Sequence, residues 1–279
     1  MSTAQLRLAS TVMLVRDAPA GFEVLLLRRN KDLAFAGGAH VFPGGSVDAG
    51  DGDPMLTARC SGLEPSEADA RLGVTDALRF YVAALREAYE EAGILLAVDD
   101  LRRPASDLEL QLRVARRALV EGERSFAQIV QHLDLVLDVG ALIYVAHWIT
   151  PEGAPRRFDT RFFLARVPPQ QLATPDRSEI VGEVWITPER ALDAYYQGQF
   201  ELVLPTVKNL EFLASFGDVE TLLAAARALT SVPPIQPRFY RRPDGSVAVA
   251  LPDAPEYRQA SATVLASGEA LPTRPATGP

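Results

Sequence analysis

Three observations predict an α/β fold for this 279-residue chain. Two apolar, β-branched runs stand near the start, at 7–16 (RLASTVMLVR) and 22–29 (FEVLLLRR). Three more follow at 141–150, 158–167 and 180–187. Between the two groups the apolar spacing changes to that of a helix, over 76–92 and again over 107–133. Strands interleaved with helices are the pattern of an α/β protein.

The elements follow in order. The turn-like DAPAG joins the first two runs, which read as adjacent strands. A glycine-punctuated loop, AFAGGAHVFPGG, comes next, and a short helix is expected over Pro65–Leu72. The helix from Asp76 ends at Ala92, because Gly93 stands where a helix stop belongs. Over 107–133, Leu108, Leu112, Ala115 and Leu119 form one apolar stripe, and Phe126, Ile129 and Val130 form another. After the three later strands, Pro188 opens a helix through Tyr196, and helices are expected at about 205–215 and 218–229. A hairpin, FYRRPDGSVAVAL, turns at Pro243-Asp244-Gly245. The last 49 residues hold nine of the 21 prolines, and beyond Tyr257 an extended or disordered tail is expected.

Composition narrows the function. With 48% hydrophobic residues, wholesale disorder is excluded. Twenty-eight basic against 36 acidic residues give a net charge of -8, which argues against duplex nucleic acid as a partner. The lone Cys60 excludes a disulfide framework and a cysteine-based zinc site, and it fits a reducing compartment. No apolar run approaches the roughly 18 residues of a membrane span, and the first residues lack a signal-peptide apolar core. The expectation is a cytoplasmic protein with no membrane partner; a homodimer stays open.

The segment richest in chemistry is Arg86-Glu87-Ala88-Tyr89-Glu90-Glu91-Ala92-Gly93-Ile94. On a helix, Glu87, Glu90 and Glu91 fall at i, i+3 and i+4, so their carboxylates share one face. Val82, Leu85, Tyr89 and Ala92 fall nearly opposite, where they can pack on a sheet. Clustered carboxylates repel, and a hard divalent cation such as Mg2+ or Mn2+ relieves them. A solvated acidic face with an Arg86–Glu90 pair accounts for the same residues.

Upstream stands Phe42-Pro43-Gly44-Gly45-Ser46-Val47-Asp48, whose paired glycines let backbone approach a ligand closely. Together the two segments resemble the Nudix box, G-x5-E-x7-R-E-U-x-E-E-x-G-U, where U is a bulky aliphatic. Gly45 matches its first glycine, Asp51 stands at its first Glu, and REAYEEAGI matches its second half with Ala88 as a small U. Gly45 to Arg86 spans 41 positions where an uninterrupted box has 14, so 27 residues split it.

A split box resembles the coenzyme A diphosphatase branch of that family. Also similar are GAHVFPGG, Trp148-Ile149-Thr150-Pro151, Arg157-Phe158-Asp159-Thr160, and Glu179-Ile180-Val181-Gly182 before Trp185. Of the fuller coenzyme A signature, Leu27, Asn30 and Ala34 replace a Thr, a Ser and an Arg.

The resemblance implies a Nudix α/β/α sandwich with a mixed sheet, helical insertions and a C-terminal extension. One domain would cover 1–257, with insertions at about 52–78 and 98–138, C-terminal helices and hairpin over 203–257, and the tail over 258–279. It further implies metal-dependent hydrolysis of a pyrophosphate bond in a small nucleotide. Coenzyme A or acyl-coenzyme A is the favoured substrate; NADH, ADP-ribose or dinucleoside polyphosphates are alternatives, as is a nucleotide-sensing module without turnover. Glu87, Glu90 and Glu91 would hold Mg2+ or Mn2+, Arg86 would orient them, and Gly44 and Gly45 would offer backbone. Glu179, with Glu183 behind it, is the candidate for a further ligand or general base. Among the basic residues, Arg29 and Arg157 are the candidates for phosphate contacts. His132 and His147 are expected to be structural; His40 is expected to stabilise its loop, with an approach to substrate the alternative; and Asp159 is expected to be an N-cap or turn residue, with a ribose or adenine contact the alternative. Trp148, Trp185, Phe162 and Phe163 are expected to pack in the core.

Overall fold

The computed structural model describes residues 4–33, 36–99, 104–176, 179–258 and 260. The proline-rich tail beyond Arg258 therefore lies outside the described residues, Ala260 apart. Strands β1 (Leu6–Ala18) and β2 (Gly21–Arg29) form the first hairpin, and the glycine loop carries two short strands, β3 (His40–Val41) and β4 (Gly44–Ser46). The interruption of the box holds α1 (Pro54–Thr57), β5 (Cys60–Ser61) and α2 (Pro65–Leu72), after which α3 (Leu78–Ala92) bears the acidic face. Then come β6 (Ala97–Val98), α4 (Glu109–Val120), α5 (Phe126–His132) and β7 (Val136–Asp138). Strands β8 (Ile143–Ile149), β9 (Arg157–Arg166) and β10 (Ile180–Ile186) complete the main sheet's long members. Helices α6 (Pro188–Tyr196), α7 (Leu204–Leu213) and α8 (Val219–Arg227) follow, then β11 (Pro234–Ile235), β12 (Arg238–Arg241) and β13 (Val247–Ala250).

The main sheet is mixed, in the order β10-β2-β1-β9-β8-β11, with β3 added on β2 and β4 on β1. Strand β1 lies at its centre, antiparallel to β2 over Val15–Ala18 and parallel to β9 from Leu6–Arg157 to Val15–Arg166. Where β1 and β2 part company, β4 takes β1's free edge, opposing Gly44 to Thr11 and Gly45 to Ser10. That divergence opens the sheet at one end, and the site lies there.

Alternation along the strands builds a core on each face. Val12 and Leu14 of β1, Leu25 and Leu27 of β2 and Phe163 of β9 pack with α3 and the insertion. Met13, Val15, Val24, Leu26 and Leu164 pack on the other face with α6, α7 and α8. The result is an α/β/α sandwich.

Val82, Leu85, Tyr89 and Ala92 of helix α3 all join the same core, as expected. Tyr89 also reaches the insertion: its hydroxyl donates to the Leu112 carbonyl of α4, and its ring lies 6.3 Å from Phe126 of α5. The insertion thus covers a helix side that would otherwise meet water.

The helical stretch at 107–133 divides at Gly122, which has φ +72°, and α5 restarts on a capping box between Ser125 and Gln128. Strands β5, β7 and β6 form a separate three-stranded sheet that the sequence did not announce, because two or three residues carry no legible period.

Candidate active site

The glycines are dictated by space. A Cβ on Gly44 would sit 2.5 Å from Thr11 Oγ1, and one on Gly45 would sit 2.5 Å from Glu87 Oε1. With hydrogen in place of a side chain, β4 slides between β1 and α3, and Gly44 N–H donates to Glu91 Oε2 at 2.9 Å. The two halves of the split box, 47 residues apart at this bond, meet directly.

Arg86 is the hub of the junction. Its guanidinium is buried and donates to Asp51 through Nε (2.7 Å) and Nη2 (3.0 Å). It also donates to the Ser46 carbonyl (2.9 Å), to Glu87 (2.9 Å) and to Glu90 (3.2 Å). Planar and forked, it fixes loop and helix at once. Asp51 is itself buried and accepts from Asp48 N–H at 2.7 Å. The position where the family has Glu therefore holds a shorter carboxylate that anchors Arg86.

Burial dominates the titration of the acids. It pushes Glu87 up to about 7, with Arg86 opposing and Glu90 adding. Glu90 is raised by burial against the same arginine. Burial and the charge of Glu87 hold Glu91 well above the usual carboxylate range, despite the Gly44 N–H and Arg29.

Asp48, Asp51, Glu87, Glu90, Glu91 and Glu179 share this corner with the guanidinium groups of Arg29 and Arg86. That excess of carboxylates over guanidinium groups, on hard oxygen atoms, fits a divalent cation. Among the described residues no three such side chains already converge as a cage, since Arg86 and Gly44 hold their oxygens.

Arg29 reaches from the end of β2 toward Glu91 (3.9 Å) and Glu179 (3.7 Å), and its Nε is buried without a hydrogen-bond partner. Glu179 stands exposed at the cleft edge. Glu183 does not line the cleft; it borders a smaller depression with Thr174, Pro175 and Val181. Arg157 donates to the Thr150 carbonyl at 3.3 Å, while its neighbour Arg156 lines the cleft.

Asp159 is engaged by His147 and Arg161, whose hydrogen bonds hold its carboxyl below the ordinary value even though burial pushes it up. His40 stacks on Phe200 at 3.8 Å, and burial, with Arg28 adding, lowers it to about 4.

Two features escape sequence reasoning. Arg116 of α4 donates to the Glu90 carbonyl through Nε (3.1 Å) and Nη2 (2.8 Å), and to Thr174 Oγ1 at 3.0 Å. It braces the last turn of α3, where carbonyls lack helical partners. No local signal links an arginine in an insertion to a carbonyl 26 residues earlier. The second is the cleft itself, about 700 Å³, which runs from Gly44, Gly45 and the acids to Trp148, Phe162 and the β12–β13 hairpin. Trp148 and Phe162 are buried as expected and line it nonetheless.

A mixed-sheet sandwich with a paired-glycine strand locked onto an acidic helix is the arrangement of a Nudix hydrolase. The model of the NUDT19 Nudix domain matches residues 58–213, a span that begins after Gly45 and ends before the hairpin. Acyl-coenzyme A diphosphatase NUDT19 of Homo sapiens is 31% identical over 271 residues, covering 83% of this chain and 72% of its own. Its namesake in Gallus gallus is 32% identical, covering 73% of this chain and 64% of its own. The crystal structure of a Nudix hydrolase from Alicyclobacillus acidocaldarius superposes with a TM-score of 0.66 at 28% identity, covering 83% of this chain and all of that one. The chain belongs to the Nudix hydrolase family, in its NUDT19 branch.

Proposed function

We propose that this protein hydrolyses the diphosphate linkage of coenzyme A or acyl-coenzyme A, giving phosphopantetheine or its acyl form and adenosine 3′,5′-bisphosphate. The observation that carries the reading is the Arg86-centred carboxylate cluster locked on Gly44 and Gly45 in a chain whose relatives, over most of its length, are acyl-coenzyme A diphosphatases. Glu87, Glu90 and Glu91 are the residues to hold Mg2+ or Mn2+. Such a cation supplies Lewis-acid polarisation of phosphoryl oxygen and a lowered pKa for bound water.

Arg86 keeps the carboxylates on one face, and Asp51 keeps Arg86 in place. Gly44 and Gly45 line the cleft and offer backbone for the diphosphate to lie against. Arg29 is placed to meet a phosphate oxygen, with Arg156 offering positive charge from the far rim. Glu179, exposed at the edge of the acids, is the group to accept the proton of the attacking water.

Residues 1–257 are read as one domain serving this site. No helix among the described residues is long and apolar enough to cross a membrane. The lone cysteine supports a reducing, cytoplasmic setting. A product assay with Mg2+ across coenzyme A, acetyl-coenzyme A, NADH, ADP-ribose and diadenosine polyphosphates tests the reading. Release of phosphopantetheine or its acetyl form should exceed turnover of the others. Faster cleavage of any other compound would remove coenzyme A, and nucleotide-induced thermal stabilisation without cleavage would point to a sensing module.

A further inference from the structure

Beyond the carboxylates the cleft continues into a recess for which the diphosphate has no use. Its walls are Trp148 of β8, Phe162 of β9, Leu204 at the start of α7, and Phe239 and Val249 of the hairpin. Phe239 and Val249 are direct cross-strand partners, so the hairpin presents them as one apolar surface. All five side chains belong to residues no more than 9% exposed, yet each faces the cavity. The recess is therefore cut into the core rather than laid over it, and it opens into the rest of the cleft.

We propose that this recess binds the alkyl chain of an acyl-coenzyme A, and that the β12–β13 hairpin sets the chain length accepted. The proposal rests on the coenzyme A reading and deepens it. A diphosphate held at the carboxylates has two arms, a nucleotide and a pantetheine whose hydroxyl and amides lead out to the thioester and its alkyl chain. The nucleotide arm carries a further phosphate, whose charge is costly to bury without a cation. Arg29 and Arg86 stand at the carboxylate end, and Arg156 lies on the exposed loop before β9, whereas the five walls of the recess are apolar. An alkyl chain needs no polar partner, and each methylene transferred from water into such a space is worth about fourfold in affinity. Phe239 and Val249 lie outside residues 58–213, the span that the family model matches.

The test compares the full chain with Val249→Trp, whose indole would fill the recess, on free coenzyme A, hexanoyl-coenzyme A and dodecanoyl-coenzyme A with Mg2+. The ratio of kcat/KM for the dodecanoyl thioester to that for free coenzyme A should fall by roughly tenfold or more, with hexanoyl between. An unchanged ratio, or equal losses on all three, overturns the proposal while leaving the coenzyme A reading intact; equal losses would put the adenine arm in the recess. If the unsubstituted protein cleaves none of the three but cleaves another nucleotide diphosphate, both readings fall. Leu204→Phe, which narrows the recess from the α7 side, supplies the same readout should Val249→Trp not fold.

Discussion

At the residue scale, Arg86 and its anions carry both stability and chemistry. The Arg86–Asp51 pair is almost wholly buried, and removing one partner of such a pair typically costs about 3–5 kcal/mol because the other charge is left uncompensated. Asp51→Ala should lower the urea-unfolding free energy by about that amount, while Asp51→Glu, the family's own residue, should retain much of it. Glu91→Gln should leave the fold intact and lower metal-dependent kcat/KM by ~100-fold or more, given that merely disturbing the groups that orient metal ligands costs roughly 10–100-fold. Unchanged turnover in Glu91→Gln would remove the acidic helix from the site.

His40 makes a prediction of a different kind. Its ordinary value is 6.5 and the folded protein holds it near 4, so between those values the unfolded chain binds more protons. Its contribution to stability is complete above about 6.5 and is lost as pH falls through the window toward 4. Urea midpoints at pH 7 and pH 5 should therefore drop less in His40→Phe, which keeps a ring against Phe200, than in the unsubstituted protein. Equal drops would refute the assignment.

At the element scale, α3 is the part most legible in the sequence. Its period, the glycine stop and the E-x-x-E-E spacing are all local, and Gly93 does end it in the left-handed conformation at φ +71°. Strands β1, β2, β9 and β10 were legible for the same reason. What could not be read is how α3 is held from behind, because the Tyr89 hydroxyl and the Arg116 guanidinium act across the insertion. Nor did alternation reveal that Arg157 turns to Thr150 while Arg156 lines the cleft, since both lie beside the loop before β9.

The brace gives the insertion a measurable consequence. Arg116→Met removes the bonds to the Glu90 carbonyl and leaves the cleft lining untouched. A small displacement of a reacting group can cost on the order of 100-fold. We expect kcat to fall by about tenfold with KM little altered, and Arg116→Lys to recover part of it. A parallel rise in KM would instead place Arg116 in substrate binding.

At the scale of the whole molecule, the sandwich draws its two cores from opposite faces of one sheet, and β1, between β2 and β9, feeds both. Its central place was not legible, because order within a sheet depends on which strand returns to which edge rather than on any strand's own residues. The long parallel ladder between β1 and β9 has a bearing on how the chain is made. Leu6 finds Arg157 as its partner, and the ladder runs on to Val15 and Arg166. Contacts so distant along the chain pay loop closure early and are rewarded late, which slows folding. During synthesis the first hairpin must wait, with an open edge and the apolar face that α6, α7 and α8 later cover, until β9 leaves the ribosome. Nascent chains stalled before residue 157 should be cut readily by protease near the first hairpin, and resistance should appear once β9 has emerged. Until then these strands present the exposed surface that chaperones bind and that aggregation exploits.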